Sequence, residues 1–214
     1  DSVMQPIAPQ NFNDMDGALG SCVDDKGRLW MGTSLGLFVV DLHSFSERTH
    51  TVRHKLINHR LDDPKAKGDP RVTFLYFSEG KKRLYVSTNG FGLYEADTEA
   101  DSLAFTPITT SDGLANNSAV SVAEDGGGNI WVGTSNGLSL LTKDHTLINS
   151  YFTSDGLLSN CYYWNAAWTS RATGHAFLGC LDGLSEIGPS LKSVSMQTRR
   201  APVLTRLDVN NATV

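Results

Sequence analysis

The most chemically suggestive residues of this chain lie in one aromatic stretch with the sequence NCYYWNAAW. Tyr162, Tyr163, Trp164 and Asn165 combine flat aromatic rings with a planar amide. Aromatic faces stack on the apolar faces of sugar rings and an amide bonds hydroxyl groups, so these four residues are predicted as a ligand-binding site. The alternative, which is the more common use of such side chains, is that Tyr163 and Trp164 only pack against a neighbouring element. Trp168 is predicted to lie in the core.

Two histidines, His50 and His54, are candidate metal ligands. His50 and His54 would share a face only on a helix, and the β-branched residues Thr51 and Val52 disfavour a helix there. The polar segment Ser44–Pro70 is therefore predicted as a solvated loop without a metal.

The carboxylates give no catalytic pattern. Glu124 and Asp125 precede three glycines without side-chain oxygens, whereas calcium takes about six or more oxygen ligands. Asp112, Asp125 and Asp155 stand beside glycines, where turn formation explains them. No phosphate loop, GxSxG elbow, HExxH or paired CxxC occurs. No catalytic residue, metal site or cofactor is predicted.

The three cysteines carry no strong signal. Cys22 falls on a predicted strand and is expected to be a small buried hydrophobic residue. A disulfide between Cys161 and Cys180 remains an alternative if the protein lies in an oxidising compartment.

Composition narrows the class of protein. The 214 residues carry a formal net charge of −5, and 40% of them are hydrophobic. This apolar fraction is enough for a sizeable core. The acidic balance argues against nucleic acid or an anionic membrane as the main partner, because both select a basic face. No run of about 18 apolar residues occurs, so no transmembrane helix is predicted within the chain.

A repeat organises the chain, and its clearest copy is EDGGGNIWVGTSNGLSLL, residues 124–141. A glycine turn, a short strand, an Asn-Gly turn and a second strand follow one another there. The anchors Trp30, Tyr85, Trp131 and Phe177 lie 55, 46 and 46 residues apart. A period in the forties with several short strands per repeat is typical of β-propeller blades.

The predicted fold is therefore all-β, with about four blades of four-stranded antiparallel sheets that are part of a larger propeller. Residues 1–190 are assigned to the blades and residues 191–214 to an exit segment, in which Ala201–Val209 is predicted as one extended strand. The fourth repeat needs about three more residues than the third to reach Phe177. This excess predicts a bulge or a longer strand in the aromatic stretch.

The third repeat, residues 112–138, resembles the two-component-regulator propeller repeat. The shared elements are the DGL opening with a following Asn, the ED–GN turn, the WVGT strand and the NGL turn, and residues 24–37 share DDKGRLWMGTSLGL. Tyr85 and Ser87 depart from the pattern in the second repeat. The resemblance covers roughly residues 11–214, and the tail is similar to the connection into an immunoglobulin-like domain.

This resemblance implies the extracytoplasmic sensor region of a bacterial, often hybrid, histidine kinase, which is periplasmic and part of a membrane-anchored receptor. It implies a glycan oligosaccharide as ligand. It also implies, as partners, the remaining propeller blades and the immunoglobulin-like domain of the parent chain, and a second copy in a homodimer. We accordingly expect a non-catalytic sensor that passes its signal on through domain geometry. A carbohydrate-active propeller enzyme and a protein-interaction scaffold remain open as alternatives.

Overall fold

The computed structural model describes residues 17–49, 51–58, 71–144 and 148–189, together with the backbone of residues 208–209 and 212–213. Almost all regular structure is β, as predicted, and the strands up to residue 187 form four antiparallel sheets. Blade 1 contains β1 (Ala18–Val23), β2 (Arg28–Thr33), β3 (Gly36–Ser46) and β4 (Thr51–Asn58); blade 2 contains β5 (Val72–Ser78), β6 (Arg83–Thr88), β7 (Leu93–Asp97) and β8 (Phe105–Ile108); blade 3 contains β9 (Ala119–Glu124), β10 (Ile130–Thr134), β11 (Gly137–Leu141) and β12 (Ile148–Tyr151); blade 4 contains β13 (Tyr162–Thr169), β14 (Ala176–Cys180) and β15 (Gly183–Ile187).

Each sheet is a simple meander in which neighbours in sequence are neighbours in space. Blades 1 to 3 have four strands, as predicted, whereas blade 4 has three strands within the described part of the chain. The first strands of successive blades, β1, β5, β9 and β13, lie side by side. This arrangement confirms the predicted propeller architecture, with the first strands lining the centre.

Each blade has two ends, and these ends serve to locate the candidate sites. We call the end where the first strands begin the entry end, and the end where the first strand turns into the second the hairpin end. The turns at the hairpin end join β1 to β2, β5 to β6, β9 to β10 and β13 to β14.

The anchors of the repeat stand at one register position in each blade. Trp30 pairs with Cys22, Trp131 with Ala123 and Phe177 with Trp168. In blades 1 to 3 the anchor is buried in a hydrophobic cluster shared with the following blade. Trp30 shares its cluster with Leu75 and Leu84 of blade 2. Tyr85 shares its cluster with Val122 and Ile130 of blade 3. Trp131 shares its cluster with Tyr162 and Leu178 of blade 4.

Two of the anchors are also fixed by a carboxylate at the hairpin end. The indole Nε1 of Trp131 donates to Asp125 Oδ2 at 2.9 Å, and Trp30 donates to Asp24 in the same way at 2.8 Å. The second oxygen of each carboxylate accepts backbone N–H groups of the turn. The assignment of Asp125 to turn formation is thereby confirmed.

The prediction of a solvated loop over Ser44–Pro70 is wrong for its first half. β3 continues to Ser46, and β4 follows from Thr51 to Asn58 in antiparallel pairing with β3. The β-branched residues that disfavoured a helix favour this strand instead, and Val52 is buried. His50 and residues 59–70 lie outside the described residues. No cluster of three or more potential metal ligands occurs among the described ones.

In the exit segment, Asp208–Val209 (β16), at the end of the predicted strand Ala201–Val209, pairs antiparallel with Ala212–Thr213 (β17). Residues 201–207 lie outside the described residues. In the part of the chain that the structure describes, no helix has the length and apolar character needed to cross a membrane.

Candidate functional site

The aromatic stretch contains the predicted bulge, at the entry end of β13. Tyr162 pairs with Cys180, but the next paired residue, Ala167, lies opposite Leu178. Four residues of β13 therefore face the single residue Gly179. A Cβ added at Gly179 would lie 2.9 Å from Ala166 Cβ, so Ala166 is the residue held against the sheet. Tyr163, Trp164 and Asn165 are the three extra residues, and we call them the aromatic bulge.

Tyr162 lies below the bulge and points into the protein. Its ring is buried in the cluster between blades 3 and 4, and its hydroxyl lies 2.9 Å from Ser185 Oγ. Burial raises the pKa of this phenol, so it stays neutral. Its position makes Tyr162 a support for the aromatic bulge, because the core occupies the faces of its ring.

Tyr163 and Trp164 are turned outward. Their exposed fractions are 52% and 42%, which is high for large aromatic side chains. The guanidinium carbon of Arg71 lies 5.5 Å from the centroid of the Trp164 ring. This distance is within the range of a cation–π interaction. Because Arg71 directly precedes β5, the contact joins blade 4 to blade 2.

Asn165 joins the bulge to blade 1. Its Nδ2 donates to the backbone oxygen of Leu19 at 2.6 Å. Its backbone is left-handed, with φ at 58°, a conformation that asparagine adopts more readily than most residues. A Cβ added at Gly20 would lie 3.2 Å from Asn165 Oδ1, so the absence of a side chain at Gly20 gives the amide its room. The bulge therefore contacts both blade 1 and blade 2 at the entry end.

The arrangement offers groups that can bind a ligand. Two exposed aromatic rings offer stacking surfaces, and Arg71 and Asn165 add a cation and an amide. These groups match a ligand with apolar ring faces and polar edges. No nucleophile paired with a base is found among these residues, which is what acid–base or covalent chemistry requires.

Trp168, at the other end of β13, is a correction to the sequence-based expectation. It was predicted to be core, but it is 62% exposed. Its ring stacks on the anchor Phe177 with centroids 5.7 Å apart. Both rings are on the face of blade 4 that is turned away from blade 3, and the core of that interface is made by the opposite face.

The carboxylates near the centre of the hairpin end are engaged with partners from other blades. The Tyr76 hydroxyl of blade 2 donates to Glu124 Oε2 of blade 3 at 3.2 Å, and Arg171 of blade 4 lies 3.6 Å from Glu79 of blade 2. Burial first, and then the Glu124 charge, raise the pKa of Tyr76. The Tyr76 bond joins blades 2 and 3, and the exposed Arg171–Glu79 pair joins blades 2 and 4. Sequence reasoning did not find these contacts because the partners are far apart in the chain.

All three cysteines are free. Cys161 is exposed whereas Cys180 is buried, so the alternative of a disulfide between them is not realised in this structure. Cys22 is half-buried and packs against the cluster between blades 1 and 2, so it is hydrophobic in its surroundings but less buried than predicted. Burial, and the nearby Asp24 charge, raise its pKa to about 12.

Comparison with known families confirms the resemblance at the third repeat. A family model described as two component regulator propeller matches residues 113–136. These residues run from the left-handed Gly113 to the turn between β10 and β11.

The chain is also similar to individual two-component proteins. The chain is 28% identical over 146 residues to a histidine kinase, P4, of Formosa agariphila; the match covers 68% of this chain and 10% of the kinase. It is similar to the extracellular domain of a hybrid two-component system of B. thetaiotaomicron, with a TM-score of 0.71 and 19% identity over all of this chain and 28% of that one.

An enzyme is also among the similar structures. Virginiamycin B lyase of Staphylococcus aureus matches with a TM-score of 0.52 and 17% identity over 83% of this chain and 57% of the lyase. At such identity these structural likenesses show the propeller fold alone. The chain spans a small part of the kinase and of the two-component domain.

Proposed function

We propose that this chain, which carries the two-component-regulator propeller repeat, is a ligand-sensing part of a membrane-anchored two-component receptor. In this proposal the propeller lies outside the cytoplasm, in the periplasm, and binds a glycan oligosaccharide. The observation that carries it is the aromatic bulge. Tyr163 and Trp164 belong to a three-residue insertion that the blade repeat does not need. The insertion exposes both rings at a central position on the entry end.

The chemistry of the bulge favours a sugar over an apolar ligand. A sugar ring presents C–H groups on its faces and hydroxyls around its rim, and the exposed rings of Tyr163 and Trp164 complement the faces. Arg71 and Asn165 supply donors and an acceptor close to the ring edge. The residues proposed to contact the ligand are therefore Tyr163, Trp164, Asn165 and Arg71, with Tyr162 supporting them from the core.

The same contacts suggest how binding would be communicated. Arg71 holds the Trp164 ring to blade 2, and Asn165 holds the bulge to blade 1. A sugar that stacks on the face of Trp164 next to Arg71 must displace that guanidinium. Binding would then change the contacts between blades 2 and 4, which is a differential interaction of the kind that shifts a conformational equilibrium.

The signal would leave through parts of the receptor beyond this chain, and we propose that further blades belong to the same ring. In blades 1 to 3 the anchor and the leucine after the second hairpin turn are buried against the following blade. In blade 4 the equivalent leucine, Leu184, is 58% exposed and lies on the same face as Phe177 and Trp168. This uncovered face has the composition of the preceding interfaces, so a following blade fits it. The immunoglobulin-like domain remains a proposal from family resemblance.

Calorimetric titration with a panel of neutral and acidic oligosaccharides tests the proposed ligand site. The variant is Trp164→Ala, and the matched control is Trp168→Ala, because both tryptophans are exposed and stand on the same strand. We expect saturable binding that Trp164→Ala weakens at least tenfold and Trp168→Ala leaves within twofold. Binding that is equally strong in all three proteins would refute the bulge as the site, and no binding to any sugar would refute the proposed ligand class.

A further inference from the structure

A second cleft, of about 450 Å³, lies on blade 1 near its hairpin end and is far from the aromatic bulge. Most of its lining side chains are basic, although the chain as a whole has a net charge of −5. The lining residues are Lys26, Arg28, Val39, Asp41, Arg53, His54 and Lys55.

The inner basic residues tie the cleft to blade 2. Lys26 Nζ donates to the backbone oxygen of Thr98 at 2.8 Å and lies 3.2 Å from Glu99. Arg28 Nε donates to the buried Asp24 at 2.6 Å, and its Nη2 also reaches Thr98 at 3.2 Å. These bonds fix the position of two cations at one end of the cleft before any ligand arrives.

The outer basic residues stand on β4. The register pairs Val39 with Lys55 and Asp41 with Arg53, so these four side chains share one face of the sheet. Arg53 Nη2 lies 2.5 Å from Asp41 and is otherwise exposed to solvent. Lys55 is exposed, and within the described residues it makes no hydrogen bond or ion pair. Val39 between them offers a small apolar floor.

The other blades provide an internal control. β3 and β4 have 11 and 8 residues, whereas the corresponding strands of blades 2 and 3 have 5 and 4. Thr106 and Asn149 occupy the positions equivalent to Lys55, and β8 and β12 contain no lysine or arginine. Cations on an edge strand discourage unwanted pairing, but the outer strands of blades 2 and 3 do without them. Among the three blades whose four strands the structure describes, the longer hairpin and its cations therefore belong to blade 1.

We propose that this cleft binds a small ligand that carries an oxyanion, namely a carboxylate, sulfate or phosphate group. The fork of Arg53 can hold two oxygens of such a group, and Lys55 and Lys26 add point charges on either side. Val39 contacts the uncharged part of the ligand. The site is independent of the aromatic bulge, so a receptor with both could respond to two ligands or to two parts of one large ligand.

The test is a titration followed by two-dimensional ¹H–¹⁵N NMR with sodium acetate, sodium sulfate and inorganic phosphate as separate probes, at ionic strength held constant with sodium chloride. The variant is the double substitution Arg53→Ala with Lys55→Ala. The matched control is Lys143→Ala, which removes an exposed lysine from blade 3. Circular dichroism checks that all proteins keep the β fold.

We expect at least one probe to give saturable shifts in the amides of β3 and β4, and the probe with the tightest binding identifies the preferred group. The double variant should bind that probe at least tenfold more weakly, and Lys143→Ala should bind it within twofold of the parent protein. Shifts that rise linearly for all three probes, or equal affinities in the parent and the double variant, would overturn the proposal.

Discussion

Asp125 makes more hydrogen bonds than a turn residue needs. One oxygen accepts the backbone N–H groups of Gly127 and Asn129 at 2.9 Å each, and the other accepts the indole N–H of Trp131. We expect Asp125→Ala to lower the free energy of unfolding by about 2–3 kcal/mol, because the buried indole donor loses its partner together with the turn. Urea unfolding measures this loss. Asp101→Ala, at an exposed carboxylate of blade 2, should change stability by less than about 0.5 kcal/mol, and equal effects of the two substitutions would contradict this role of Asp125.

The cysteines differ in reactivity for a physical reason. Burial disfavours the thiolate of Cys22 and raises its pKa from 9.0 to about 12, whereas Cys161 is exposed. At pH 8 a thiol reagent should modify one thiol quickly, and Cys161→Ser should abolish that phase. Because the folded-state pKa of Cys22 is the higher one, its contribution to stability is complete below pH 9 and falls as the pH rises toward 12. Labelling of Cys22 as fast as that of Cys161 in the native protein would contradict this difference in pKa and exposure.

At the scale of elements, the aromatic bulge depends on the left-handed backbone of Asn165 and on its hydrogen bond to Leu19. Asn165→Gly keeps the left-handed backbone but loses the hydrogen bond to Leu19, so we expect a loss of about 1 kcal/mol. Asn165→Ala loses the same bond but, unlike glycine, keeps a Cβ in the left-handed region without the polar side chain that makes asparagine tolerable there, so it should be about 1 kcal/mol less stable than Asn165→Gly. Chemical denaturation of the pair separates the two effects. If alanine were tolerated as well as glycine, the positive φ at this position would be wrong.

Much at this scale was predictable from sequence. The spacing of the anchors located the blades, and counting residues from the Asp-Gly-Leu motif to Phe177 located the bulge. The partners of the bulge were not predictable. Asn165 bonds a residue 146 positions away, and no motif in the sequence around Arg71 indicates its contact with Trp164. β4 was missed because its polar side chains resemble those of a loop, while its pairing with β3 supplies the order. Trp168, predicted as core, is exposed because the face of blade 4 that carries it is not covered in the described part of the chain.

At the scale of the whole molecule, the uncovered face of blade 4 predicts association. Phe177, Trp168 and Leu184 occupy positions that are interfaces in the other blades, and an exposed apolar face favours contact with another copy. We expect the 214-residue chain to dimerise through this face, and Leu184→Arg to shift it to the monomer. Light scattering after gel filtration measures the mass. The control is Leu56→Arg, at an exposed leucine of blade 1; a parent chain that is already monomeric would contradict the prediction.

The central claim is that a sugar is recognised by the exposed aromatic bulge at the entry end of the propeller. The chain has four tryptophans, of which Trp30 and Trp131 are buried and Trp164 and Trp168 are exposed. Labelling with 5-fluorotryptophan gives each of them a separate ¹⁹F NMR signal, and Trp→Phe variants assign the four signals. Titration with the oligosaccharide that binds best should shift the Trp164 signal in a saturable manner and leave Trp30, Trp131 and Trp168 nearly unchanged. A saturable shift at Trp168 with none at Trp164 would contradict the account.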